Sequence, residues 1–377
     1  MKRTSTIILT AMAVVFLAAC SKNEPESDQQ PEVQSAERVY ILNEGGMGRN
    51  NASLSVVDLE QGTITDNWFS TANGTPLGDT GNDILVTDDQ IIMAINGSNI
   101  IQFCDLDGKS IAQIESVPNV RRLAIDEKGE YLYATSYAED GYVAKISMAD
   151  HKVTGKAATG YEPEGVVCSG GKLYVANTGG YAYLGGHGYE QSISIIDAAT
   201  MTETKRVDTG MYNLYGAFIQ NEKYPRYILV NAAGDYWMNP AGSMIFDCET
   251  EQVIARFDFP ASYAAQYDGV FYTIGSSFDY TTYESTYYLN RVEMQFGVPK
   301  VFPGLAPEGG SADDDIAAAV RNMSSPYGIF MTDEGDVFIS DAGNYSDRGT
   351  VYRFSKKGEL RQKFTAGVCP GHFAAGK

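Results

Sequence analysis

Short apolar runs alternate with tight polar turns along this chain, and one unit of that alternation recurs. From Pro163 to Asn177 the sequence PEGVVCSGGKLYVAN reads as an apolar strand, a glycine turn and a second strand that stops at a small polar residue. RRLAIDEKGEYLYATS (Arg121 to Ser136) and PYGIFMTDEGDVFISDAG (Pro326 to Gly343) repeat it. A unit of this kind returning at a near-constant interval marks a repeat architecture. Second strands aligned on it begin at Val39, Ile92, Leu132, Leu173, Tyr227, Phe271 and Val337. Four residues further on stand Asn43, Asn96, Ser136, Asn177, Asn231, Gly275 and Asp341. A third strand follows, as in LSVVDLEQG (Leu54 to Gly62) and ISIIDAAT (Ile193 to Thr200). A more polar fourth strand comes next, as in ELRQKFTAG (Glu359 to Gly367), and outermost strands that face water read this way.

Seven such units predict an all-β fold, a seven-bladed β-propeller of four-stranded blades. The first unit starts at its second strand, RVYILNEG. The C-terminal run CPGHFAA (Cys369 to Ala375) is similar to the first-strand openings PEGVV and SPYGIF. The pattern therefore predicts that a C-terminal strand joins the N-terminal blade, closing the ring and removing its free edges.

Because strands alternate in direction, second-to-third and fourth-to-first connections emerge at one end of the ring. That end collects the long loops at residues 43–53, 177–192, 231–243, 275–286 and 341–350, while turns such as DEKG mark the other end. Long loops on a rigid scaffold are where binding concentrates. The candidate ligand-binding residues among them are Tyr181, Tyr183, His187, Tyr189, Tyr236, Trp237, Phe278, Tyr280, Tyr283 and Tyr345. Tyr161, Tyr215 and Tyr327 join them from the fourth-to-first connections, and Asn177 and Asn231 from strand ends. Tyrosine and tryptophan offer large apolar area at low entropy cost, with a polar tip. Interleaved with asparagine and glycine, they suit a bulky neutral ligand bearing amide or hydroxyl groups. Asp313 to Arg321 predicts a short helix on the same face, ahead of the last blade.

The net charge of -20 excludes the counterion-releasing basic surface that nucleic acid requires. Beyond Cys20 the cysteines are Cys104, Cys168, Cys248 and Cys369; no CxxC pair occurs, and they read as small apolar fillers. Three separated histidines and no HExxH or GxSxG pattern predict neither a metal site nor a catalytic centre, hence a protein that is not an enzyme and has no cofactor. Glu162 and Glu164, at the opening of the fourth blade, read as a polar ligand contact or a solvated pair.

At the N-terminus, Lys2 and Arg3 precede an apolar stretch from Ile7 to Ala19 that is too short to span a bilayer. It ends Leu17-Ala18-Ala19-Cys20, which resembles the lipobox of bacterial lipoproteins. The resemblance implies a signal peptide over residues 1–19, lipidation at Cys20, a flexible tether over 20–37, and a single domain over 38–377. With the YVAN and SIIDAAT blade grammar, the chain resembles the YncE-like propellers. With its tyrosine-rich loops and CPGHF ending, it resembles among them the BtuG-type cobalamin-binding surface lipoproteins of Bacteroidetes. That resemblance implies capture of vitamin B12 or a related corrinoid, as ligand and not cofactor. It also implies a lipid-anchored position on the outer membrane surface and transfer to a TonB-dependent outer-membrane transporter. A surface glycan- or peptide-binding module, and a propeller lyase or dehydrogenase, are the other readings of the same residues.

Overall fold

The computed structural model of the chain describes residues 38–180, 186–279, 281–306, 308 and 315–376. The expected Cys20 lipidation site, Tyr181, Tyr183 and Tyr280 lie outside the described residues, as do Asp313 and Asp314.

The second strands are apolar at most positions because both their faces are covered. In Arg38–Asn43, Val39 and Ile41 pack toward the last blade, while Tyr40 and Leu42 pack toward the next one. Side chains alternate across a strand, so one strand feeds two separate cores. The hydrophobic core is accordingly divided into seven clusters, one in each interface between neighbouring blades. Seven four-stranded antiparallel sheets carry these faces, and the ring is a seven-bladed β-propeller.

The ring closes as the sequence predicts. Pro370–Gly376 forms the innermost strand of the first blade and pairs with Arg38–Asn43, Tyr40 opposite Ala374 and Leu42 opposite His372. Glu44 N–H donates to Cys369 O at 2.8 Å, continuing the seam past the strand ends. The other innermost strands are Gly81–Val86, Val120–Ile125, Pro163–Ser169, Ile219–Gln220, Tyr263–Tyr267 and Pro326–Met331. They surround a central channel.

Two elements depart from the sequence reading. Residues 275–286 were expected as a loop; instead Val270–Asp279 and Glu284–Gln295 pair without a break to Asp279 opposite Glu284. The outer half of this hairpin projects from the ring with its residues exposed. Its Ser, Thr, Tyr and Phe residues favour extended backbone, but with no buried face they show no two-residue apolar alternation. A one-and-a-half-turn helix, α1 (Trp68–Asn73), joins the first two blades and inserts Phe69 into their shared core. It is too short to register as a helical period. The helix expected near 313–321 is present as α2 (Asp315–Arg321), and Ile316, Ala317 and Val320 bury its inner face against blades six and seven.

All four described cysteines are buried and unpaired, as the spacing suggests. Burial pushes the thiols of Cys104, Cys168 and Cys248 up to about 12, which leaves them inert at neutral pH. Among the described residues no helix is long and apolar enough to cross a membrane.

Candidate functional site: an aromatic rim above a charged channel

The rim is built on the second-to-third connections. In the loop after Tyr227–Ala232, the Asp235 carboxylate accepts backbone N–H groups from Trp237, Met238 and Asn239 at 2.8–2.9 Å. These bonds, led by that of Asn239, hold the Asp235 carboxyl down at about 2. The knot pushes the apolar side chains outward: Trp237 is 90% exposed and Tyr236 71%. Tyr236, Tyr283 and Tyr345 also sit at left-handed φ values of 60°, 60° and 62°. A bulky side chain there is unfavourable, and such conformations cluster at functional sites. The same conformation recurs in turns elsewhere, at His151, Met201, Glu251 and Phe296 among others, and Tyr283 itself closes the hairpin turn by donating its N–H to Asp279 O at 2.7 Å.

Around the same rim Phe278 meets Tyr283 edge-on, Tyr189 meets Tyr236 edge-on, and His187 stacks on Tyr161 with centroids 3.7 Å apart. Tyr345, Tyr327 and Tyr263 form a ladder of rings, 5.6 and 5.7 Å apart, from the rim into the channel. Tyr215 stands half exposed at the channel mouth.

Two of the candidates are not at the rim. Asn177 is fully buried. Its Nδ2 donates to Ser192 Oγ at 3.0 Å and Ser194 Oγ at 2.9 Å, while its Oδ1 accepts from Gly160 N at 2.9 Å. Asn231 likewise spends its amide on Tyr215 O at 3.1 Å and Ala261 N at 3.0 Å. Asn43 does the same in the first blade, through Ser53, Ser55 and Gly367 N. These strand-end asparagines staple the incoming fourth-to-first connection to the blade. The small polar residue that the repeat demands is structural.

Glu164 also departs from expectation. It is neither a ligand contact nor solvated, being 0% exposed. Arg121 Nε donates to it at 2.7 Å, Arg122 Nε lies 3.4 Å from its other oxygen, and the Tyr137 hydroxyl donates to it as well. Burial alone would push its carboxyl up; Arg121, then Arg122, bring it below the ordinary range. The sequence reading missed the group this carboxylate anchors, and a backbone irregularity explains how it forms. The innermost strands of blades one, two, three, four and seven each slip register near their start. The residues left unpaired include Asn82, Arg121, Arg122, Glu164 and Tyr327. A bulge re-aims its extra residue, and here the extra residues form the wall of the channel or brace it from behind. The glycine in PEG and PYG allows the fit: a Cβ at Gly165 would lie 2.7 Å from the backbone N of Phe218, and one at Gly328 2.8 Å from Gly371 O. That Pro-x-Gly opening was the available signal.

The channel holds a cavity of about 590 Å³, and its wall has two characters. Arg121, Arg122, Glu44, Asp83, Asn82 and His372 line it, and so do Phe218, Tyr263, Ile329 and Phe373. With its amide turned oxygen-inward, Asn82 accepts from Arg121 Nη1 at 2.7 Å. Asp83 accepts the N–H groups of Leu123 and Ile84 at 2.8 and 3.0 Å, and Glu44 accepts from the Tyr327 hydroxyl. Burial raises both carboxyls. Arg122 Nη1 lies 3.2 Å from His372 Nδ1. A guanidinium only donates, so Nδ1 is the acceptor and the ring proton sits on Nε2. Burial first, then Arg122 and Arg121, hold His372 well below 6.5, and it is neutral. A hollow of about 730 Å³ on the flank of blades one and two has a single aromatic ring, Phe69, and lacks this convergence. Among the described residues no histidine, cysteine or carboxylate cluster could hold a metal ion.

No protein-family model matches the chain, and no curated protein matches it. Solved structures do resemble it in fold. Hydrazine synthase of Kuenenia stuttgartiensis is 15% identical, with a TM-score of 0.61 over 78% of this chain and 88% of that one. A functionally unknown protein from Desulfotomaculum acetoxidans is 11% identical, with a TM-score of 0.62 over 90% and 99%. A quinoprotein alcohol dehydrogenase-like protein from Bacteroides thetaiotaomicron is 11% identical, with a TM-score of 0.61 over 90% and 78%. At these identities the likeness establishes the propeller fold alone, since one fold hosts many functions.

Proposed function

We propose that this chain is a binding protein and not an enzyme, which captures a corrinoid outside the cell on the aromatic rim. In this reading Cys20 carries the lipid that anchors it to the outer membrane surface, and a TonB-dependent transporter receives the ligand. The observation that carries the reading is the set of Tyr236, Tyr283 and Tyr345, all held at positive φ and 51–77% exposed, beside Trp237. Such placement leaves apolar area in water, and a large flat ligand buries that area on binding. A corrin is wide, largely neutral and edged with amides; aromatic faces cover its plane, and tyrosine hydroxyls bond its amides.

Calorimetry with cyanocobalamin tests this. The wild-type protein gives a saturable heat. Replacing Tyr236 and Trp237 together by alanine weakens binding by about tenfold or more, the scale of interface hot spots. The melting temperature stays unchanged, because both rings are exposed. Absence of heat with the wild type, or full affinity in the double variant, removes the reading. The same exposed rings would serve a glycan, so neutral polysaccharides belong in the same titration as the rival ligand.

A further inference from the structure

The channel beneath the rim is not used by the binding reading above, yet among the described residues it gathers buried charged and polar side chains from several blades. Its wall carries two guanidiniums, Arg121 and Arg122, and two carboxylates, Glu44 and Asp83. Glu164 lies behind them, sealed from the cavity, and fixes both arginines. The wall charges therefore compensate one another. An anion drawn to the arginines also faces Glu44 and Asp83. A cation drawn to those carboxylates faces two guanidiniums that do not deprotonate. Either would give up its hydration for little net gain. A neutral group that both donates and accepts finds partners on every side. Tyr215 OH, 3.4 Å from Arg121 Nη2, and the Nε2–H of His372 supply donors; Glu44 supplies an acceptor. Phe218, Tyr263 and Phe373 line the same cavity and offer apolar cover. We propose that the channel mouth is a subsite for an uncharged carboxamide carried on an apolar body. The corrinoid reading enters only in naming the molecule, whose peripheral amide arm would descend from the rim.

Ligand-observed NMR on the protein tests the subsite with four phenyl-bearing probes: benzamide, benzoate, benzylamine and phenylalanine. Benzamide binds, and the two ions and the zwitterion bind at least about tenfold more weakly, the effect of desolvating a full charge. Tyr215→Phe and Glu44→Gln each weaken benzamide several-fold. Both are near-isosteric, and the amide oxygen introduced by Glu44→Gln would still accept from the Tyr327 hydroxyl, so melting temperatures report folding separately. Equal or better binding of a charged or zwitterionic probe overturns the proposal. So does silence from all four, or indifference to both substitutions. Cyanocobalamin is then added to the benzamide sample. Displacement of benzamide supports the descent of the amide arm, and retention beside bound corrinoid overturns it. Failure of cyanocobalamin to bind, with benzamide bound, removes the rim reading and leaves the subsite standing.

Discussion

Asn177 and Glu164 show how little a residue type says about its role until its neighbours are known. Asn177 stands in the sequence beside a tyrosine-rich loop, yet its three hydrogen bonds all run inward. Asn177→Ala strips Gly160 N–H and two serine hydroxyls of a partner, and the protein loses about 2–4 kcal/mol in a denaturant titration. A ligand-contacting asparagine would instead lose affinity at constant stability. Glu164→Ala is harsher, because it strands Arg121 and Arg122 in the protein interior. Breaking a buried pair from one side costs about 3–5 kcal/mol, and a lowered denaturation midpoint is the readout. Neither glutamate number nor spacing distinguishes Glu164 from the partly exposed Glu162 two residues earlier.

Among the elements, the innermost strands carry both the closure of the ring and the wall of its channel. Most of them bulge at their start, and the bulge turns a plain strand opening into a channel wall. The closing strand tests the ring itself. Deleting residues after Gly367 strips Arg38–Asn43 of its partner along Pro370–Gly376 and opens the cores on both sides of the first blade. A buried strand edge left unpaired invites aggregation. The truncated chain therefore melts far lower, or fails to fold, in a thermal scan; unchanged melting would contradict closure by this strand. The projecting hairpin answers to a different test. Its outer half is exposed, so shortening it between Ser276 and Thr286 leaves the melting temperature nearly unchanged while removing Phe278 and Tyr283 from the rim.

At the scale of the whole molecule, the ring brings five blades' unpaired residues to one axis and so couples their titration. His372 is neutral in the fold and ordinary when unfolded, so the unfolded chain takes up its proton first as pH falls. Stability conferred by the neutral ring is complete above about 6.5 and declines below it, by at most about 1.4 kcal/mol per pH unit. Asp83 and Glu44, raised in the fold, act in the opposite sense at lower pH, where the folded protein takes up their protons first. Melting temperatures should thus hold above about pH 6.5, fall from about 6.5 toward about 5.5, and then level as the carboxyls titrate. His372→Gln, which keeps an acceptor for Arg122 and cannot protonate, should be flat over the interval below about 6.5 in which the wild type declines. A wild-type curve with no decline there would exclude a neutral, Arg122-bonded imidazole.

The repeat unit by itself determined the blade number, the order of strands and the closing strand, because each blade is a local antiparallel meander whose apolar strands and turns are written in consecutive residues. It also placed the aromatic loops at one end, since strand direction alternates by necessity. Tertiary structure alone decided which polar residues look inward. Strand-end asparagines became staples, since the incoming connection of the ring arrives at their amides. Arg121, Arg122, Glu44, Asp83 and His372 became one site only because ring closure and register slips bring residues far apart in the chain to a common axis. No periodicity encodes that distance.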